Sequence, residues 1–292
     1  MDSRLLPAGD HAPRCTDWSS SIALDPRGTA FAADTVTFIA TPGAWPKPVF
    51  AHPLLTGLAP RMDTNLGVTR NLTFRHDASS DDRVLVYVYS GPNMKGKSYL
   101  VPPPYLKDLV LHHDDRWLGG EPAPSRVLAV CTQGSHDVCC GTDGTRFAAE
   151  AAERDVTVLK VSHTGGHRFA PTALFVPDGR MWAHMDLALL DAILERSSEP
   201  KKIIGRCRGS ISAPPGPGQV AECEILAGNG WEWRPASVSV DGDTVILRGS
   251  TGSYRVEVRP ARVVPTVTCR ADGGLPAKTR TEYEVTDVAR LS

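Results

Sequence analysis

The sequence predicts an α/β protein in which short strands recur along the chain and helices fall between some of them. Three observations predict it. Runs of strand length rich in β-branched and aromatic residues recur, as in TVTFIATPG (35–43), RVLVYVYSGP (83–92) and DVTVLKVS (155–162). Two stretches, TRFAAEAAER (145–154) and DLALLDAILERS (186–197), instead combine helix formers with an apolar face. The chain has 292 residues, 41% hydrophobic and 22% charged, an ordinary globular balance with room for roughly two domains of about 150 residues each.

The elements follow in order. TVTFIATPG ends at a Pro-Gly stop, NLTFRHD (71–77) alternates, and RVLVYVYSGP closes in a turn. These belong to an N-terminal α/β domain over 1–124, and its terminal GGEPAP piece reads as a linker. A second unit, 125–203, opens with the strand SRVLAVC. It continues through the Gly- and Asp-rich loop CTQGSHDVCCGTDG, a helix, the strand DVTVLKVS and the loop HTGGHR. FAPTALFV and RMWAHM are strands joined by a PDG turn, and the following helix is capped by Asp186. A β-rich extension, 204–292, starts with the irregular RCRGSISAPPGPGQ, and GQVAECEILA reads as a helix. SVSVDGDTVILRG reads as a hairpin turning at Asp241 and Gly242, with YRVEVRP and EYEVTDV as further strands.

Charge and composition exclude several classes. With 32 Lys+Arg against 33 Asp+Glu, no global basic field exists to hold nucleic acid or an anionic membrane. No apolar run approaches the roughly 20 residues that span a bilayer. The N-terminal MDSRLLPAGDHAPR lacks the unbroken apolar core of a secretory peptide, so a cytoplasmic protein is expected.

Two motifs fail on their context. Gly91 to Ser98 (GPNMKGKS) fits a phosphate-binding loop letter for letter, but that mechanism needs a helix starting at Lys97-Ser98. Pro102, Pro103 and Pro104 follow too soon, so a surface turn between strands is expected. His112-His113-Asp114-Asp115 would point in opposite directions on an extended chain and reads as a polar turn. Asn71-Leu-Thr73 fits a glycosylation acceptor, which an unexported chain does not use.

Seven cysteines remain, an odd number without an export signal, which argues against a disulfide framework. Cys15, Cys207, Cys223 and Cys269 lie far apart and read as small buried side chains. Cys131, Cys139 and Cys140 crowd one loop, and no pair has the C-x-x-C spacing of dithiol exchange. The next loop supplies His163 and His167 in SHTGGHRF. Eight residues between Cys131 and Cys140 make a wider loop than the two to four of a zinc knuckle. Such a loop suits something larger than one ion, and a 2Fe-2S cluster is such an object. Gly165-Gly166 would let backbone amides approach its sulfides.

These segments resemble the sucrase/ferredoxin-like family, whose members are thioredoxin-like 2Fe-2S ferredoxins. The resemblance rests on CTQGSHDVCCG, VSHTGGHRFAPTALFVPDG, RCRG and VPTVTCRADGGLPAKTRTEYEVTDV, with PGAW a weaker match. It implies a thioredoxin-like ferredoxin domain over 125–203, and the N-terminal domain could be a degenerate, ligand-free unit of the same fold. It also implies cluster ligation by Cys131 and Cys140 on one iron and His163 and His167 on the other. Cys139, beside Cys140, leaves the second cysteine ligand open between the two.

The function expected is electron transfer through that cluster, with a proton coupled to it, in exchange with redox partner proteins. Two neutral imidazoles in place of two thiolates raise the potential to roughly −150 to +300 mV, against about −400 mV for plant-type ferredoxins. No nucleophile with a matching base and no carboxylate pair suited to glycoside chemistry stands out, so an electron carrier is expected rather than a stand-alone enzyme. The alternatives are a structural or regulatory zinc protein using the same four residues, and a reductase acting on a small molecule at an exposed cluster.

Overall fold

Two strands buried along their whole length organise the molecule. They are β1 (Thr35–Thr41) and β7 (Val127–Cys131), and near-continuous β-branched and apolar sequence suits a strand covered on both faces. The structure is a computed structural model that describes residues 3–76, 82–113, 119–134 and 138–291. Around β1 lie β2 (Arg61–Thr64), β3 (Gly67–Arg75), β4 (Val84–Ser90), β5 (Lys95–Val101) and β6 (Gly119–Pro122). Around β7 lie β8 (Thr157–Val161), β9 (Ala173–Val176), β10 (Arg180–Trp182) and β11 (Cys207–Ser210). All join one eleven-stranded sheet, ordered β11-β10-β9-β7-β8-β3-β1-β4-β5-β6, with β2 paired to β3.

The two halves of this sheet repeat one topology. In the second, β7 pairs parallel with β8 and antiparallel with β9, which pairs antiparallel with β10. In the first, β1 pairs parallel with β3 and antiparallel with β4, which pairs antiparallel with β5. Each half then adds a helix and an edge strand, α2 (Leu106–His112) and β6 after β5, α4 (Leu187–Glu195) and β11 after β10. The halves meet through β3 and β8, antiparallel at Phe74 and Val161. The N-terminal half thus repeats the strand pairing of the half that carries the Cys loop. At the end of its central strand, Thr41 stands where Cys131 ends β7.

Two helices complete the site's surroundings: α1 (Cys15–Ser21) and α3 (Thr145–Ala151), which follows the Cys loop. Beyond β11, α5 (Pro217–Asn229) is buried between the large sheet and a second, four-stranded antiparallel sheet. That sheet runs β12 (Pro235–Asp241), β13 (Thr244–Gly249), β14 (Gly252–Thr266) and β15 (Lys278–Leu291). One face of α5 packs Ala221 and Leu226 against Val245 and Val256, while Cys223 joins Trp182 and Cys207 in the core of the large sheet.

Local expectations hold in part. Asp186 accepts from the Leu189 amide at 2.8 Å and so caps α4. GGEPAP is no linker, because its first four residues pair as β6 against β5. The Gly91–Ser98 motif forms a turn followed by β5, with Lys97 and Ser98 on the strand. The β12–β13 pairing ends at Asp241 and Thr244, so the turn is Gly242-Asp243, one residue later than expected. Asn71 is fully buried and donates to the Ala59 carbonyl at 2.8 Å. Asp114 and Asp115, with His136 and Asp137 of the Cys loop, lie outside the described residues. No helix among the described residues is long and apolar enough to cross a membrane.

Candidate metal centre

The centre forms where the parallel strands β7 and β8 end side by side, at the register Cys131 to Val161. Cys131 is the last residue of β7, and the Cys loop returns to the sheet as a π-helical turn, Cys140–Gly144, that runs into α3. Sequence alone read this whole stretch as loop. A π turn widens the helix locally and is often found at functional sites. Here it packs hard against β7: a Cβ on Gly144 would lie 2.1 Å from the Cys131 carbonyl oxygen. The second loop carries His163 after β8, then Gly165 and Gly166, then the turn His167–Phe169.

Cys131, Cys140 and His163 converge. The Cys140 side chain hydrogen-bonds the Cys131 thiol and holds it well below the usual thiol range against burial, with His163 and the Thr164 amide acting in the same direction. The His163 and His167 rings stand with centroids 6.2 Å apart. Arg208 of β11 runs beneath this loop, donating to the Gly165 carbonyl at 3.1 Å and to Thr29 Oγ1 at 3.0 Å. Gly166 has φ 71° and lies against that guanidinium, so a side chain there would be both strained and obstructed. Burial and the Arg168 charge lower the Arg208 pKa, while Cys131 and Cys140 oppose them.

A second group of thiols adjoins the first. The Sγ atoms of Cys15, Cys139 and Cys269 lie within 4.8 Å of one another. Cys139 Sγ is 3.7 Å from both Cys15 Sγ and Cys269 Sγ, and Cys15 Sγ is 3.1 Å from His167 Nδ1. Cys15 opens α1, which is fastened to the His167 turn by Thr16 Oγ1 donating to the Arg168 and Ala170 carbonyls at 3.2 and 3.1 Å. Cys269 is brought in by pairing between the chain ends, Arg270 N to Pro13 O at 2.9 Å and Gly273 N to His11 O at 3.0 Å. Arg14 hydrogen-bonds both Cys139 and Asp143. Trp18, Phe169, Val264 and Val267 give these thiols an apolar surround.

Sequence reasoning therefore undersold two cysteines. Cys15 and Cys269 read as isolated core thiols, and 254 residues separate them, yet the Cys15 amide donates to Cys269 Sγ at 3.4 Å. Cys207 and Cys223 are the buried pair, hydrogen-bonded to each other. The odd cysteine count was the only sequence signal for the extra thiols. A cavity of about 560 Å³, lined by His163, Gly166, His167, Arg168 and Cys269 among others, opens over the imidazoles.

Fold and centre define a mixed α/β protein with thiols and imidazoles gathered where β7 and β8 end. The chain belongs to the sucrase/ferredoxin-like family, whose model matches residues 26–209, well over half its length. No curated protein and no solved structure gives a significant match. The matched segment contains Cys131, Cys139, Cys140, His163 and His167, whereas Cys15 and Cys269 lie outside it.

Proposed function

We propose that the protein transfers single electrons through a 2Fe-2S cluster held by Cys131, Cys140, His163 and His167. The observation that carries this reading is the convergence of Cys131 with both Cys140 and His163, with His167 the next ring along the same loop. The residues suit such a group. A thiol held below its ordinary range gives up its proton more readily to become a thiolate donor, and two imidazoles supply neutral donors on the other side. When bound, the cluster would accept and release one electron. The chain's own residues would set the conditions for that step. The apolar surround of Trp18 and Phe169 keeps water from the thiol side, and Arg208 offsets thiolate charge. His163 and His167 line the cavity, which sets their rings beside solvent.

Purification without oxygen tests the reading. Two irons and two acid-labile sulfides per chain, with a brown-red colour, are expected. A colourless protein containing zinc and no iron would overturn it in favour of a zinc protein using the same four residues.

A further inference from the structure

We propose that Cys15, Cys139 and Cys269 hold a zinc ion that fastens both ends of the chain to the Cys loop, its fourth position facing the cavity that Cys269 lines. The site shares no ligand with the proposed cluster. Spacing is the first argument. A tetrahedral ion with metal–sulfur bonds of about 2.3 Å requires neighbouring sulfurs about 3.8 Å apart. The observed Sγ separations of 3.7 Å, from Cys139 to Cys15 and from Cys139 to Cys269, meet that requirement. A disulfide would need about 2.05 Å. The Cys15 and Cys269 sulfurs lie within 4.8 Å of each other, so all three thiols can face one small ion.

Donor chemistry is the second argument. Three thiolates are soft donors that suit zinc rather than magnesium or calcium, which take oxygen ligands. Three thiolates around a divalent ion leave a net negative charge, and cations stand by to balance it. Arg14 hydrogen-bonds Cys139, and Arg168 interacts favourably with Cys15. The Nε of Arg168 is buried without a hydrogen-bond partner among the described residues, which suits a guanidinium oriented by charge.

Position is the third. The three thiols come from residue 15, residue 139 and residue 269, so one ion would close loops of more than a hundred residues. The surrounding contacts already bind the same segments: Asp25 N donates to Glu282 Oε1 at 2.8 Å, and Arg280 Nη1 to the Asp25 carbonyl at 2.7 Å. Ions that close long loops stabilise most in principle, because they restrict the unfolded chain.

The test measures zinc and iron separately in the full-length protein, purified without oxygen from zinc- and iron-supplemented cultures. Wild type should contain one zinc besides its iron, and zinc-edge X-ray absorption should show three sulfurs near about 2.3 Å and one lighter donor near about 2.0–2.2 Å. Cys269 is the partly exposed member of the trio, so Cys269→Ser is the variant most able to fold. Its zinc should fall at least roughly tenfold while iron and visible spectrum stay unchanged. Cys131→Ser should do the reverse, keeping zinc and losing iron. Wild type without zinc, or zinc bound only by nitrogen and oxygen, would overturn the proposal, as would a disulfide among the three thiols. Loss of iron in Cys269→Ser would overturn it too, and would show that the cluster ligands had been misassigned. A colourless wild type that keeps zinc sensitive to Cys269→Ser would sink the electron-transfer reading and leave this one standing.

Discussion

Cys15 Sγ lies 3.1 Å from His167 Nδ1 although 152 residues separate them in the chain. The contact forms because α1 is fastened by its hydroxyls to the turn that carries His167. A ligand imidazole is commonly oriented by what its second nitrogen meets, so whatever Cys15 does is felt at His167. The proposed cluster is thereby coupled to the N-terminal segment, outside the part of the chain that matches the family.

The ligand assignment is tested one cysteine at a time. Cys131→Ser and Cys140→Ser should each abolish the visible spectrum, whereas Cys139→Ser should leave it and remove zinc. His163→Cys should retain a cluster at lower potential, because a thiolate adds negative charge at the iron. Iron analysis and redox titration distinguish these outcomes. A Cys139→Ser protein without iron would move the second cysteine ligand by one position.

Gly144→Ala should damage the centre without touching a ligand. The added methyl would meet the Cys131 carbonyl oxygen at 2.1 Å, and that atom belongs to a central strand that has little room to give. The π turn must then shift, taking Cys140 away from Cys131. Iron content of the purified variant should fall with the far-ultraviolet spectrum unchanged, and full iron loading would show that the turn relaxes instead.

Much of this was legible in the sequence, for identifiable reasons. The strands β1, β4, β7 and β8 announced themselves by β-branched runs, and α4 by its cap. The two loops carrying Cys131, Cys140, His163 and His167 could be found because each is local. What stayed hidden depends on contacts distant in sequence. No periodicity reports that Cys15 and Cys269 meet, since the chain ends are brought together by single hydrogen bonds such as Arg270 N to Pro13 O. The helical character of the Cys loop was masked by Gly141 and Gly144, which lower helix propensity but are required by close backbone approach. The extent of β14 and β15 was hidden by Pro260 and Pro265, which break the alternation yet sit within the paired strands.

The buried ion pair between Arg180 and Glu222 should be a stability determinant. Both side chains are fully buried, 2.7 Å apart, and Arg180 also donates to the Trp233 carbonyl at 3.0 Å, so the pair ties β10 to α5. Removing one partner leaves an uncompensated buried charge, so Glu222→Ala should cost about 3–5 kcal/mol. Urea unfolding of the variant measures it. A loss below about 1 kcal/mol would show that water reaches Arg180 or that the helix repacks around it.

His113 should make stability fall in mild acid. Burial, aided by the neighbouring His112 charge, pushes its pKa down to about 4. A base that is harder to protonate when folded contributes stability that is present above the unfolded value of about 6.5 and is lost as pH falls toward 4. The ring is only partly buried, so the loss should be modest. His113→Asn suits the left-handed backbone there, φ 49°, and should flatten stability between pH 7 and pH 5. An unchanged pH profile would assign the acid sensitivity to other groups.

Proton coupling at the imidazoles makes the most specific demand on the proposed cluster. His163 and His167 line a cavity of about 560 Å³, so a ring nitrogen not bound to metal has access to a proton carrier. Reduction adds negative charge next to these rings and should raise their affinity for protons. Between the imidazole pKa values of the oxidised and reduced states, each electron then brings a proton, and the midpoint potential should fall by about 59 mV per pH unit. Below that range both states hold the proton and the potential is flat. Redox titration of wild type from pH 6 to pH 10 reads the slope. A flat potential would count against histidine ligation.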